Sequence, residues 1–126
     1  MANSPVVWFE TYVKDMKRAK TFYESVLKIT LTEMKSPAPG LEMWGFPSGG
    51  DNAPGASGAL AKMKGAEPNG LGTIVYFHCD DCAVEAARVA PAGGRIKDEK
   101  FSIGQFGFIA LAYDTEGNLF GLHSIN

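Results

Sequence analysis

Val7-Trp-Phe-Glu-Thr-Tyr-Val-Lys-Asp15 decides the fold, because Thr73-Ile-Val-Tyr-Phe-His-Cys-Asp-Asp81 says the same thing again. Each run alternates, ends in Asp and opens a helical pattern. The two aspartates stand 66 residues apart, about half of the 126-residue chain. A repeat of that size implies two copies of one supersecondary unit, neither able to bury its apolar face alone. It also predicts a shared cleft between the copies, where function would sit.

Working outward from the first run, Val7, Phe9, Thr11 and Val13 share one strand face, and Trp8, Glu10 and Tyr12 the other. Asp15 is placed to cap the following helix by accepting from its exposed backbone N–H groups. In that helix Ala19, Phe22, Tyr23, Val26 and Leu27 recur at helical spacing as one apolar stripe. Three strands are predicted next, near 29–35, 40–47 and 57–63, with Gly49 to Gly55 a loop by composition. Residues 64–71 form a polar bridge punctuated by Gly and Pro. The second half repeats the order: a strand at about 72–79, a helix at about 82–92, then strands near 95–98, 106–113 and 118–124. Ala83, Ala86, Ala87 and Ala90 make that helix's small-residue stripe beside Val89. Gly93-Gly94 ends it with a residue suited to a left-handed cap. Asp114-Thr-Glu-Gly-Asn118 is a tight turn. Each half is therefore strand, helix and three strands: module 1 about 5–63, module 2 about 72–126, within a single domain.

The helices should cover the more apolar strand faces, those of Val7, Phe9 and Val13 and of Val75, Phe77 and Cys79. The opposite faces carry Trp8, Glu10 and Tyr12, and Ile74, Tyr76 and His78. Such a polar and aromatic mixture is the composition of a cavity lining.

Bulk properties narrow the function classes. A hydrophobic content of 45% and a charged content of 21% are ordinary for a globular domain. A net charge of −2 without a Lys/Arg run argues against nucleic acid and membrane surfaces as partners. Met1 to Pro5 shows no basic stretch leading into an apolar core, so a secretory leader is not expected. Two cysteines do not make a disulfide framework, and a cytoplasmic location follows as the expectation.

Asp15 with Arg18, Phe22-Tyr23 and Leu27, then Asp81 with Ala90-Pro91-Ala92-Gly93-Gly94, then Asp114-Thr-Glu-Gly-Asn118 together resemble the vicinal oxygen chelate superfamily. That family includes glyoxalase I, bleomycin-resistance proteins and extradiol dioxygenases. The resemblance covers nearly the whole chain. It implies an α+β fold of two tandem βαβββ modules forming a half-open barrel around a small-molecule site, with homodimerisation. Carried over by position, the family's metal ligands would fall at Trp8, Ile74, the Gly58 to Leu60 region and Gly121. None of these offers a side-chain ligand, so no metal and no other cofactor is expected.

Polar chemistry remains at Glu10 and His123, both of which keep cavity-facing parity, and at His78. Two imidazoles and a carboxylate have the composition of an iron site. Against that, a buried Glu beside a His is commonly a hydrogen-bonded pair fixing a core. Trp8, Tyr12, Trp44, Tyr76, His78 and Phe106 are the candidate substrate-binding residues, and Glu10 and His123 the candidate catalytic pair. Cys79-Asp-Asp-Cys82 matches a redox spacing, but its aspartates would raise the thiol pKa. Both cysteines occupy positions expected to face the core, where a thiol acts as a small hydrophobe. The expected function is binding of a small apolar or aromatic molecule in the inter-module cleft, without the family's usual metal. The alternative is a lyase, isomerase or dioxygenase using Glu10 and His123, with His78, as acid/base groups or as ligands of a divalent metal.

Overall fold

The computed structural model describes residues 5–36, 38–47, 55–64 and 72–126. Most of the glycine-rich stretch at 49–55, all but the first residue of the bridge at 64–71, and Pro37 lie outside the described residues. In chain order the elements are β1 (Val6–Tyr12), α1 (Met16–Leu27), β2 (Thr32–Met34), β3 (Leu41–Gly45), β4 (Ser57–Met63), β5 (Thr73–His78), α2 (Cys82–Val89), β6 (Arg95–Ser102), β7 (Phe108–Tyr113) and β8 (Leu119–Ser124). A 3-10 turn at Gly104–Phe106 precedes β7. The chain thus runs twice through strand, helix and three strands, and the fold is mixed α+β.

Two compact units divide it, one within Trp8–Thr73 and the other within Met1–Val7 and Ile74–Asn126. The first has strand order β2-β3-β4-β1, and the second β5-β8-β7-β6. In each the opening strand lies parallel to the closing one, β1 against β4 and β5 against β8, while the other neighbours are antiparallel. A parallel return requires a crossover. The helix and two intervening strands of each module supply it.

Both helices begin as the sequence suggests. Asp15 Oδ1 accepts from Arg18 N at 3.0 Å, and Asp81 Oδ1 from Ala83 N at 3.0 Å. These contacts hold both carboxyls below the ordinary 3.8; for Asp81 the larger cause is the Lys100 ammonium, 2.8 Å away. α1 ends at Lys28, a non-glycine residue in the left-handed region with φ 56°. Glu24 then organises the exit, its Oε2 accepting from Leu31 N at 2.8 Å. That turn consumes residues 28–31, which is why β2 starts at Thr32 and not at 29. α2 stops at Val89, short of the expected 92, because residues 90–93 turn and Gly94 N donates back to Val89 O. Gly93 there has φ 103°. β6 runs to Ser102, beyond the expected 98, with register shifts against β7 on either side of Asp98.

The strand faces are as expected, the helix stripes only in part. Beneath α1, Met16, Leu31 and Leu60 form a core with Val13, Ala19, Tyr23, Trp44 and Phe46 packed on it. Beneath α2, Cys79, Cys82, Ala86, Ala110 and Leu122 do the same with Phe77, Ile96, Phe108 and Phe120. Phe22, Val26 and Leu27 are more than half exposed, so the buried stripe of α1 is Met16, Ala19 and Tyr23. In α2 the buried positions are Cys82 and Ala86, while Ala83 and Ala87 face outward. Both cysteines are free and buried. Burial, and then the neighbouring Glu85 carboxylate, push the Cys79 thiol up to about 11. This is an environment of poor thiolate character.

Candidate functional site

The first unit has a second apolar layer on its helix-free face. Met43, Ala59 and Ala61 are buried there, with Trp8, Tyr12, Met34 and Leu41 packed around them. Register explains the grouping: Glu10 lies beside Ala59, and Tyr12 beside Ala61 and then Met43. Into this wall β1 sets one charged group. Glu10 Oε2 accepts from Trp8 Nε1 at 3.0 Å, and Oε1 accepts from the Tyr12 hydroxyl at 2.9 Å. Three alternate residues of one strand therefore make a carboxylate held between an indole and a phenol. Burial first, then the charge and hydrogen bond of Glu10, raise the Tyr12 pKa strongly, so the phenol stays a donor. The arrangement is a carboxylate acceptor fixed between two aromatic side chains beside an apolar cluster.

Trp44 is not part of it. Its partner across the ladder is Leu60, on the helix side, where Lys20 Nζ sits 3.4 Å from the ring centroid. Its indole donates to Glu42 Oε2 at 3.0 Å, the same two-residue step as the Trp8–Glu10 pair.

In the second unit, β5 and β8 bring the two histidines side by side: His78 is the register partner of His123, and Tyr76 of Gly121. His78 is exposed, with Nε2 3.6 Å from Asp80 Oδ1. His123 Nε2 lies 2.6 Å from the Phe106 carbonyl oxygen. A carbonyl only accepts, so Nε2 carries the proton and Nδ1 of the neutral ring keeps its lone pair. Phe106 thus acts through its backbone, orienting the imidazole.

The positions that would ligate a metal do not suit one. The Trp8 ring nitrogen is a donor already directed at Glu10, and Ile74 is aliphatic and buried. The register of Glu10 with Ala59 matches that of Tyr76 with Gly121, so Ala59 is the first unit's counterpart of Gly121. At Gly121 a Cβ would fall inside the Tyr76 ring, which fills the space a ligand side chain needs. Among the described residues no group of three or more His, Cys, Asp or Glu is placed to hold a metal ion. Among the same residues no helix is long and apolar enough to cross a membrane.

Sequence reasoning overlooked Ser124 and Glu85. Ser124 is fully buried and its Oγ accepts from Cys82 N at 3.0 Å, tying β8 to the start of α2. Glu85 shares the more buried side of α2 with Cys82, Ala86 and Val89, an i, i+3, i+4, i+7 spacing that was legible once the alanine stripe is set aside.

Comparison with known proteins gives the fold the same identity throughout. The family described as Glyoxalase/Bleomycin resistance protein/Dioxygenase superfamily matches residues 6–122. No curated protein matches. Among solved structures, a hypothetical protein from Bacillus halodurans is similar at TM-score 0.70 and 14% identity, covering 94% of this chain and 92% of that one. Methylmalonyl-CoA epimerase from Mycobacterium tuberculosis is similar at TM-score 0.67 and 17% identity, covering 100% and 93%. A variant of the Streptomyces coelicolor methylmalonyl-CoA epimerase, in complex with 2-nitronate-propionyl-CoA, gives 0.67 and 18%, covering 98% of each chain. At these identities the likeness is one of fold.

Proposed function

Because the chain belongs to the glyoxalase/bleomycin resistance protein/dioxygenase superfamily, we propose that it binds a small apolar or aromatic molecule against the Trp8–Glu10–Tyr12 face, without a bound divalent metal. One observation carries this reading. The Glu10 carboxylate, which would have to turn outward to serve as a ligand, is held on both oxygens by Trp8 and Tyr12. An apolar guest with one hydrogen-bond donor suits that surface: its ring packs on the aromatic wall and its donor meets the carboxylate. A thermal-shift panel of divalent metals and small phenols tests it. Stabilisation by phenols with Trp8 fluorescence quenching, and none by metals, is expected. Metal-dependent stabilisation, or close to one equivalent of tightly held metal lost on changing His123, refutes it.

His123 favours a second reading, a lyase or isomerase. Its fixed tautomer leaves an Nδ1 lone pair that can take a proton next to a carbonyl. Buffer-deuterium exchange into a carbonyl substrate, abolished in His123→Gln, would select this reading over pure binding. Homodimerisation is supported by the exposed Phe22, Val26 and Leu27 of α1. Phe22→Asp should leave a monomer if that face is the interface. The two free thiols suit a cytoplasmic home.

A further inference from the structure

His123 Nε2 ends on the Phe106 carbonyl, and the turn that carries this carbonyl has a glycine on either side of it. Gly104 has φ 69°, and Gly107 has φ 101° with ψ −131°, backbone states that suit glycine and strain any residue with a side chain. The turn closes on itself. Gly107 N donates to Gly104 O at 3.1 Å, Ile103 N to Gly107 O at 2.9 Å, and Gly104 N to Ser102 Oγ at 3.1 Å. It is also seated on the end of β8, directly after the histidine. A Cβ at Gly107 would collide with Ser124 O and press on Ile125 Cα, so only bare backbone comes this close. At Gly104, by contrast, a Cβ would meet nothing within 4 Å, and the demand there is on φ alone.

We propose that Gly104 and Gly107 are positioning residues for His123. By holding the Phe106 carbonyl on Nε2, they make Nδ1 the nitrogen that exchanges a proton with a carbonyl substrate, an assignment that rests on His123 acting as the acid/base group. In a neutral imidazole the protonated nitrogen is chosen by the partner each nitrogen meets. A backbone carbonyl only accepts, so Nε2 keeps its proton and Nδ1 is bare. A hydroxyl in the same place could reverse its role and admit the other tautomer. The contact also outlasts proton uptake, because Nε2 still donates once Nδ1 is protonated. The turn therefore holds the ring through a whole cycle of uptake and release without rearranging, which is the preorganisation that general acid/base chemistry needs.

Imidazole nitrogen–proton correlation NMR of the full chain tests this, because the two neutral tautomers have separate signatures and the chain has two histidines. In its neutral form His123 is expected as Nε2–H alone. Gly107→Ala, which drives the turn off Ser124, should give a mixture with Nδ1–H, while His78 keeps its own pattern as the internal reference. Phe106→Ala retains the carbonyl and should retain the single tautomer. A turn with only a structural role would lower Tm in Gly107→Ala and leave the His123 tautomer alone. That result overturns the proposal, as does Nδ1–H in the parent chain or a changed tautomer in Phe106→Ala. If Gly107→Ala fails to fold, Gly104→Val decides by the same criteria, since its branched side chain has open space and opposes only the positive φ. The spectra need no substrate. An unchanged tautomer therefore sinks the glycine assignment, whereas absence of buffer-deuterium exchange sinks the acid/base reading of His123, and each outcome is read separately.

Discussion

Glu10 is the residue on which most depends, and its two partners answer differently to substitution. Trp8 Nε1 can only donate, whereas the Tyr12 hydroxyl can reverse its role. Glu10→Gln can therefore keep both contacts, its oxygen toward Trp8 and its amide toward a now-accepting Tyr12, at an expected cost of about 1 kcal/mol. Glu10→Leu strands both donors and should cost roughly 2–3 kcal/mol in urea unfolding. The same pair of variants tests the electrostatics: without the Glu10 charge the Tyr12 phenol should ionise at lower pH, read as phenolate absorbance. At Gly121, an added methyl meets the Tyr76 ring, which is only 5% exposed and has nowhere to retreat. Gly121→Ala should destabilise by roughly 1–3 kcal/mol, as overpacked cores do. Glu10 was legible in the sequence because strand parity alone places it beside Trp8 and Tyr12. That Trp44 faces α1 was not, since the register of β3 is set by pairing with β4 and not by any pattern within 41–45.

Among the elements, α2 is the more constrained. It is short, and its first turn is fastened from two sides, by Asp81 and by Ser124 on β8. Ser124→Ala leaves Cys82 N without its partner in a fully buried site, and a loss of about 1–3 kcal/mol is expected. Hydrogen exchange should show the loosening first in α2, before β5 or β7. α1 ends in the opposite condition, with Lys28 forced to φ 56° where a glycine would rest more easily. Lys28→Gly should raise stability by about 0.5 kcal/mol, measured by chemical unfolding. Both helices were readable from Asp15, Asp81 and the spacing that follows. Their buried faces were not, because Phe22, Val26 and Leu27 satisfy helical periodicity as well as Met16, Ala19 and Tyr23 do. Which stripe turns inward is set by how the helix lies on its sheet, a tertiary choice.

At the scale of the whole molecule, the internal repeat fixed the order of all ten principal elements, and three aspartates mark its joints. Asp15, Asp81 and Asp114 all have carboxyls held below 3.8, for Asp114 chiefly by the backbone and side chain of Asn118. A lowered native pKa contributes stability that is complete above the unfolded value and disappears as pH falls through the native one. Tm should therefore hold on the acid side until about pH 4 and then fall, more gently in Asp114→Asn. On the alkaline side the sign reverses. Cys79, raised from 9.0 to about 11, favours the native state below 9.0 and ceases to do so as pH climbs toward 11. A last consequence lies in Tyr76. Because its ring already occupies the volume beside Gly121, no single codon change can install a working carboxylate there; the aromatic must shrink in the same step or beforehand. The route from this chain to a metal-bearing relative is thus gated by an ordered pair of mutations, and the direction of that order can be tried at the bench.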